Sequence, residues 1–215
     1  LADIDRARRD LPGSFASLPQ VLLGHSMGGN LVVNYALRRA EFSPDQRDPE
    51  GLVLASPMLL PPSPPPRPQI FAAWLTGHLL PRLRVHRKVQ ASRLTGDPSQ
   101  IAAITADPQM HASITVHLAT QLLSQGRWAI DHARELRLPS LLMFGEQDDL
   151  VDLAACEHLP IRAGETMTLV RWPGKRHAIF HDQPGGEVSQ CLVQWLTRFS
   201  GSLGSVAHSI RFPAR

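Results

Sequence analysis

Cysteine is scarce in this chain of 215 residues: Cys156 and Cys191 are the only two. Two thiols cannot build a disulfide framework, and their spacing is not that of metal ligands. Read as free thiols, one in a helix and one facing the core, they suit a reducing, cytoplasmic compartment. Aromatic residues make up 6% of the chain, with a single tyrosine. That leaves no stacking platform of the kind single-stranded nucleic acid needs, and no groove-binding motif replaces it. The charge excess is only +3. Its basic residues are scattered, with Arg82, Arg84, Arg87 and Lys88 as the notable cluster. That cluster reads either as a solvated helix end or as a docking patch for anionic lipid, which would give a transient membrane-surface contact. No apolar run approaches the roughly 20 residues of a membrane-spanning helix. The ten histidines form no H-x-x-x-H zinc pattern with a supporting acid. His177 and His181 stand at that spacing, but Ile179 and Phe180 between them point to packing. Neither a metal nor a cofactor is expected.

Proline, by contrast, is abundant and unevenly placed. Seven prolines fall between Pro57 and Pro68, a density that excludes strand or helix interior. Around this stretch, strand-like and helix-like patterns alternate, which argues for an α/β fold with a parallel sheet. The reading is helix 3–11, strand 20–24, helix 27–40, strand 51–55, strand 140–145, helix 152–159, strand 166–172 and helix 185–199. Residues 1–56 and 139–200 then form one core, of about four strands. Residues 57–138 form an insertion with helical segments near 69–80, 98–106 and 111–125. The Gly/Ser-rich and then basic segment 201–215 reads as a flexible tail. Phe71, Trp74, Leu75 and Leu79 share one helical face, and Leu118, Leu122 and Leu123 mark a second stripe. These stripes either hold the helices on the sheet or line a cap that accepts an acyl chain.

What carries chemistry is Gly24-His25-Ser26-Met27-Gly28, directly after the apolar run Val21-Leu22-Leu23. It has the G-x-S-x-G form of a nucleophile elbow, a sharp strand-to-helix turn that leaves its serine exposed. The flanking glycines are expected where strand and helix backbones come too close for side chains. In folds with this elbow the triad follows in the order Ser, acid, His. Strand-like Ser140–Phe144 leads into Gly145-Glu146-Gln147-Asp148-Asp149-Leu150-Val151-Asp152, and strand-like Met167–Trp172 leads into Pro173-Gly174-Lys175-Arg176-His177. An acid and a histidine thus each follow the C-terminal end of a strand, where sites assemble in open α/β sheets. Asp148, Asp149 and Asp152 are all candidates for the acid, and Asp152 is also placed to cap the next helix. His177 and His181 compete for the base. His25 reads as packing under the turn. Cys156 reads as core rather than as a nucleophile.

Gly24–Gly29 (GHSMGG), Gly145–Asp152 (GEQDDLVD) and Gly174–His177 (GKRH) resemble the three signatures of the monoacylglycerol lipase/lysophospholipase branch of the α/β-hydrolases. Asp107-Pro108 followed by Met110-His111 is similar to a segment of that family's cap. The resemblance runs from about Asp3 to Phe199. It implies Ser26 as nucleophile, Asp148 as acid and His177 as base, with the backbone N–H of Met27 as an oxyanion donor. The proline-rich exit and the amphipathic segments that follow it point, on their own, to a helical cap at 57–138, with Phe71, Trp74 and Leu75 as substrate-contacting candidates. The implied reaction is hydrolysis of a lipid-like carboxylic ester, monoacylglycerol or lysophospholipid, through an acyl-enzyme. Thioesterase, acyltransferase or aminopeptidase chemistry on the same fold, or a catalytically impaired fragment, are the alternatives.

One feature departs from that family. Its members carry a His-Gly motif well before the serine, which supplies half of the oxyanion hole. The 25 residues ahead of Ser26 contain no such pair, and the first is Leu rather than Met. The expectation is therefore a chain that begins late: a partial α/β-hydrolase sheet with the elbow strand at its edge, poorly soluble or weakly active alone.

Overall fold

The computed structural model describes residues 1–13, 18–42, 44–86, 89–110, 112–182 and 186–199. The tail 201–215 and Arg87, Lys88 and His111 lie outside these described residues. Helix α1 (Ala2–Arg9) precedes strand β1 (Val21–His25), and the chain turns at Ser26 into helix α2 (Met27–Phe42). Strand β2 (Gly51–Ala55) follows. Next come α3 (Arg67–Leu79), β3 (Arg84–His86), α4 (Ala91–Leu94), α5 (Pro98–Ala106), β4 (Ser113–Thr115) and α6 (Val116–Asp131). The chain then returns to β5 (Ser140–Gly145), α7 (Leu153–Ala163), β6 (Met167–Trp172) and α8 (Glu187–Leu196).

Four strands form a parallel sheet in the order β1-β2-β5-β6. This is the α/β architecture expected, with the elbow strand β1 at one edge. Every residue of β2 and β5 is buried, because central parallel strands are covered on both faces and so read as unbroken apolar runs. Successive residues point to opposite faces, and two separate cores result. Leu52, Leu54, Leu142 and Phe144 enter one core with Val32 and Val33 of α2, Ile130 of α6 and Leu159 of α7. Val53, Ala55, Leu141 and Met143 enter the other with Val188, Cys191 and Trp195 of α8. Cys156 and Cys191 are free and buried, and burial pushes both thiols up from their ordinary pKa, so neither is an activated nucleophile.

Caps hold several helices in register. Asp152 is the N-cap of α7, accepting from the Ala155 N–H at 3.2 Å. Asp97 accepts from the Ser99 and Gln100 N–H groups to start α5, with Pro98 in its first turn. Thr115 accepts from the Leu118 N–H to start α6.

The insertion differs in detail from the sequence reading. A two-stranded antiparallel ribbon, β3 with β4, stands where no strand was expected; three residues per strand are too few for alternation to register. The third helix runs over Val116–Asp131 rather than 111–125. Its second half belongs to the core: Ala129 and Ile130 join Leu59 there. Gly126 permits that approach, since a Cβ at this position would overlap the Leu59 carbonyl. Helix α3 is the opposite case, with Gly77 its one buried residue.

Candidate active site

The site begins with backbone geometry. Ser26 has φ 53°, the left-handed region, which costs a non-glycine residue about 1–3 kcal/mol and persists only where surroundings impose it. Four hydrogen bonds impose it here. The Ser26 N–H donates to Ala55 O of β2 at 3.0 Å, and its carbonyl accepts from the Gly29, Asn30 and Met58 N–H groups at 3.0, 3.3 and 2.9 Å. The Asn30 amide in turn donates to Met58 O and to Leu122 O, at 2.8 and 3.0 Å, which ties the start of α2 to α6.

The glycine expectation needs one correction. Gly24 does require the absence of a side chain, since a Cβ would overlap the Gly28 carbonyl. Gly28 itself has nothing within 4 Å of where a Cβ would sit. The second tight position is Gly29, whose Cβ would lie 2.7 Å from Pro57 Cβ. The close approach on the helix side therefore falls one residue later, against the chain leaving β2.

Asp148 and His177 are brought together. Both are buried, and His177 Nδ1 lies 2.8 Å from Asp148 Oδ2. The other oxygen, Oδ1, accepts from the Leu150 N–H at 2.9 Å. The loops bearing them are bonded to each other, Gln147 N–H to Lys175 O at 2.9 Å and Glu146 N–H to Trp172 O at 3.1 Å. Gly145 makes that approach possible, because a Cβ there would overlap the Lys175 carbonyl. A carboxylate at Nδ1 holds the proton there and leaves Nε2 as the acceptor, the tautomer a general base requires.

His25, beside Ser26, reaches the same loop. Its Nε2 lies 3.1 Å from the His177 carbonyl, and the two rings are 4.8 Å apart. Crowding of the His25 ring by protein, and secondarily the neighbouring His177, lower its pKa from the ordinary 6.5, although the side chain as a whole keeps substantial exposure.

The rival candidates are occupied elsewhere. Asp149 is exposed and takes both carboxylate oxygens to Arg93 Nε at 3.0 Å. Asp152 is the helix cap already described. His181 is exposed, and Ile179 between the two histidines is core. Phe71, Trp74 and Leu75 lie on α3 and are 64%, 43% and 44% exposed. Phe71, Trp74, His78 and His117 follow one another in a row of ring contacts, stacked, tilted and edge-on in turn, with centroid separations of 5.9, 4.2 and 5.2 Å. A cavity of about 420 Å³ lies between α2 and α6, lined in part by Leu31, Leu118 and Leu122. Neither Ser26, Asp148 nor His177 lines it. Among the described residues no cluster of three or more potential metal ligands occurs, and no helix is long and apolar enough to cross a membrane.

Sequence reading also missed a buried polar cluster beside His177, made by Asp182, Lys175 and Thr95, to which the exposed Gly96 adds its backbone N–H. Its members come from distant segments, so no local spacing could have marked them.

A family model described as serine aminopeptidase, S33, matches residues 1–184. The chain belongs to this family. Within the wider set of related proteins, the S33 chain is 29% identical over 183 residues to a monoacylglycerol lipase of Mycolicibacterium smegmatis, covering 84% of this chain and 62% of that protein. It is 29% identical over 188 residues to a monoglyceride lipase of Rattus norvegicus, covering 86% of this chain and 58% of the relative. The chain thus spans about three-fifths of the length of these two relatives. Among solved structures, a Paleococcus ferrophilus monoacylglycerol lipase superposes with TM-score 0.79 at 26% identity, over 92% of this chain and 73% of that one. A soluble variant of Saccharomyces cerevisiae monoglyceride lipase in complex with a substrate analogue superposes with TM-score 0.75 at 20% identity, over 92% and 67%. The α/β-hydrolase fold of this S33 chain is therefore established by architecture and by likeness.

Proposed function

We propose that the chain carries the site of a serine hydrolase acting on lipid-like carboxylic esters, monoacylglycerol or lysophospholipid. Ser26 is the nucleophile, His177 the base and Asp148 the acid. The observation that carries this reading is the buried 2.8 Å contact between His177 Nδ1 and Asp148 Oδ2; the ring of His25, the residue before Ser26, lies 4.8 Å from that of His177, and Ser26 itself holds the left-handed turn of an elbow. A serine hydroxyl is a weak nucleophile until a base removes its proton. His177 Nε2 takes that proton as Ser26 Oγ bonds to the ester carbonyl carbon, and Asp148 steadies the imidazolium. The same proton then passes to the leaving alcohol, and a water repeats the sequence to release the acid. The Met27 N–H, in the first turn of α2 where backbone donors have no partner within the helix, stabilises the oxyanion. One such donor is worth on the order of 10²–10³ in rate.

We place the cap proper at 67–115, a narrower range than 57–138, because Leu59 and the last turns of α6 support the sheet. Its exposed Phe71, Trp74 and Leu75 suit contact with an acyl chain or lipid surface. The lipase names of the relatives favour ester over peptide chemistry; the family description keeps aminopeptidase as the second reading. The deciding experiment is labelling with a fluorophosphonate, followed by a panel of monoacylglycerol, lysophospholipid, thioester and amino-acid anilide substrates. Labelling lost in Ser26→Ala, with turnover confined to the esters, is the expected result. Labelling that survives Ser26→Ala, or turnover of the anilides alone, overturns it.

A further inference from the structure

His177 is bonded across to the insertion on both of its sides, and one buried carboxylate organises the crossing. Asp182 is 1% exposed. Its Oδ1 accepts from the Thr95 hydroxyl at 3.0 Å and from the Gly96 N–H at 2.5 Å. Its Oδ2 accepts from the N–H of Arg176, the residue immediately before His177. Its backbone carbonyl accepts from Lys175 Nζ at 2.9 Å. The Thr95 hydroxyl is also 3.0 Å from the His181 carbonyl. On the other side of the histidine, the Ala178 N–H donates to Leu94 O at 2.8 Å. The Arg176 guanidinium donates to the Ser92 carbonyl and, at 3.2 Å, to the Thr95 carbonyl.

A carboxylate suits this place because its donors come from two separate chain segments and it has only acceptors to offer. An amide of the same shape would satisfy one segment and oppose an N–H with an N–H at the other. The bond to Arg176 lies one peptide from the His177 Cα, so a shift there swings the imidazole directly. We infer that Asp182 is a positioning residue: it sets His177 through the backbone and makes the base depend on the seating of residues 91–97. This rests on the reading of His177 as the base. In consequence the insertion does more than cover the site. Its short segment 91–97 is one wall of the frame that aims the imidazole.

The test compares Asp182→Asn and Thr95→Val with the wild-type chain. Two readouts are used: the rate and pH midpoint of fluorophosphonate labelling, and the downfield proton resonance of the His177–Asp148 hydrogen bond, assigned by its loss in His177→Ala. Asp182→Asn is expected to slow labelling about 100-fold, the size of a misplacement of about 1 Å, to move its pH midpoint, and to shift or erase the resonance. Thr95→Val, which removes one donor and keeps the carboxylate, is expected to act in the same direction by about tenfold, a difference of about 1.4 kcal/mol. Should Asp182→Asn fail to fold, Thr95→Val alone decides. An unchanged resonance and unchanged labelling in a folded variant overturn the inference, even where the melting temperature falls. Labelling that survives Ser26→Ala overturns the hydrolase reading instead, and the resonance still decides for or against Asp182.

Discussion

The strand-end loops and helix α3 solve opposite problems. Around Asp148 and His177 polar groups are buried and bonded, and strand β5, which leads to Asp148, is wholly enclosed. On α3, Phe71, Trp74, Leu75 and Leu79 stay exposed, Leu79 at 71%. Burial near the site holds geometry to fractions of an ångström, which proton transfer requires. Exposure on α3 leaves apolar surface for something that is not part of the fold. Hydrophobic spacing alone does not separate these cases, since an apolar stripe looks the same whether or not a partner covers it.

The strongest way to break this contrast is at the loops. Asp148→Asn keeps shape but removes the charge that holds the His177 tautomer, and a loss of about 10⁴-fold in kcat is expected. Ester turnover with the fold confirmed by circular dichroism measures it, and a loss below tenfold would remove Asp148 from its role.

A smaller test compares the two regions by stability. Leu142→Ala, in the enclosed strand β5, is expected to cost about 2–5 kcal/mol. Leu79→Ala on α3 is expected to stay within about 0.5 kcal/mol and to raise KM for long-chain esters while leaving short-chain turnover intact. Urea melts and chain-length kinetics separate them. Equal destabilisation would mean that α3 packs as tightly as the sheet.

The least effect is expected from His25. Its folded pKa lies below the unfolded 6.5, so the unfolded chain binds the extra proton first as pH falls. Its contribution is fully present above pH 6.5 and is lost as pH drops through that value toward the lower folded pKa. A shallow decline in stability over that window is predicted, and His25→Gln should flatten it. A slope unchanged by the substitution would assign the effect to other groups.

The elements that were legible in sequence are those with a local signature. The apolar runs of β2 and β5 marked both as strands, and the elbow motif located the turn at Ser26. Asp152 was recognisable as a cap because N-caps act over three residues. The rest depends on encounters between distant segments. Gly28 and Gly29 cannot be ranked without knowing that Pro57 leans on one of them. The β3–β4 ribbon joins residues 84–86 to 113–115 through pairing that leaves no pattern in three-residue strands. Asp182 meets Thr95 across 87 positions, so its importance is a property of the folded loops alone.

The strand order has one more consequence. Neighbours β2 and β5 are separated by residues 56–139 of the chain, so the sheet closes a long loop on itself. Closure entropy grows only logarithmically, and doubling such a loop costs about 0.6 kcal/mol. The sheet is therefore nearly indifferent to the length of what it encloses. A lineage built on this scaffold can lengthen, shorten or exchange the intervening segment at little thermodynamic penalty, provided each replacement still offers the His177 loop a place to dock.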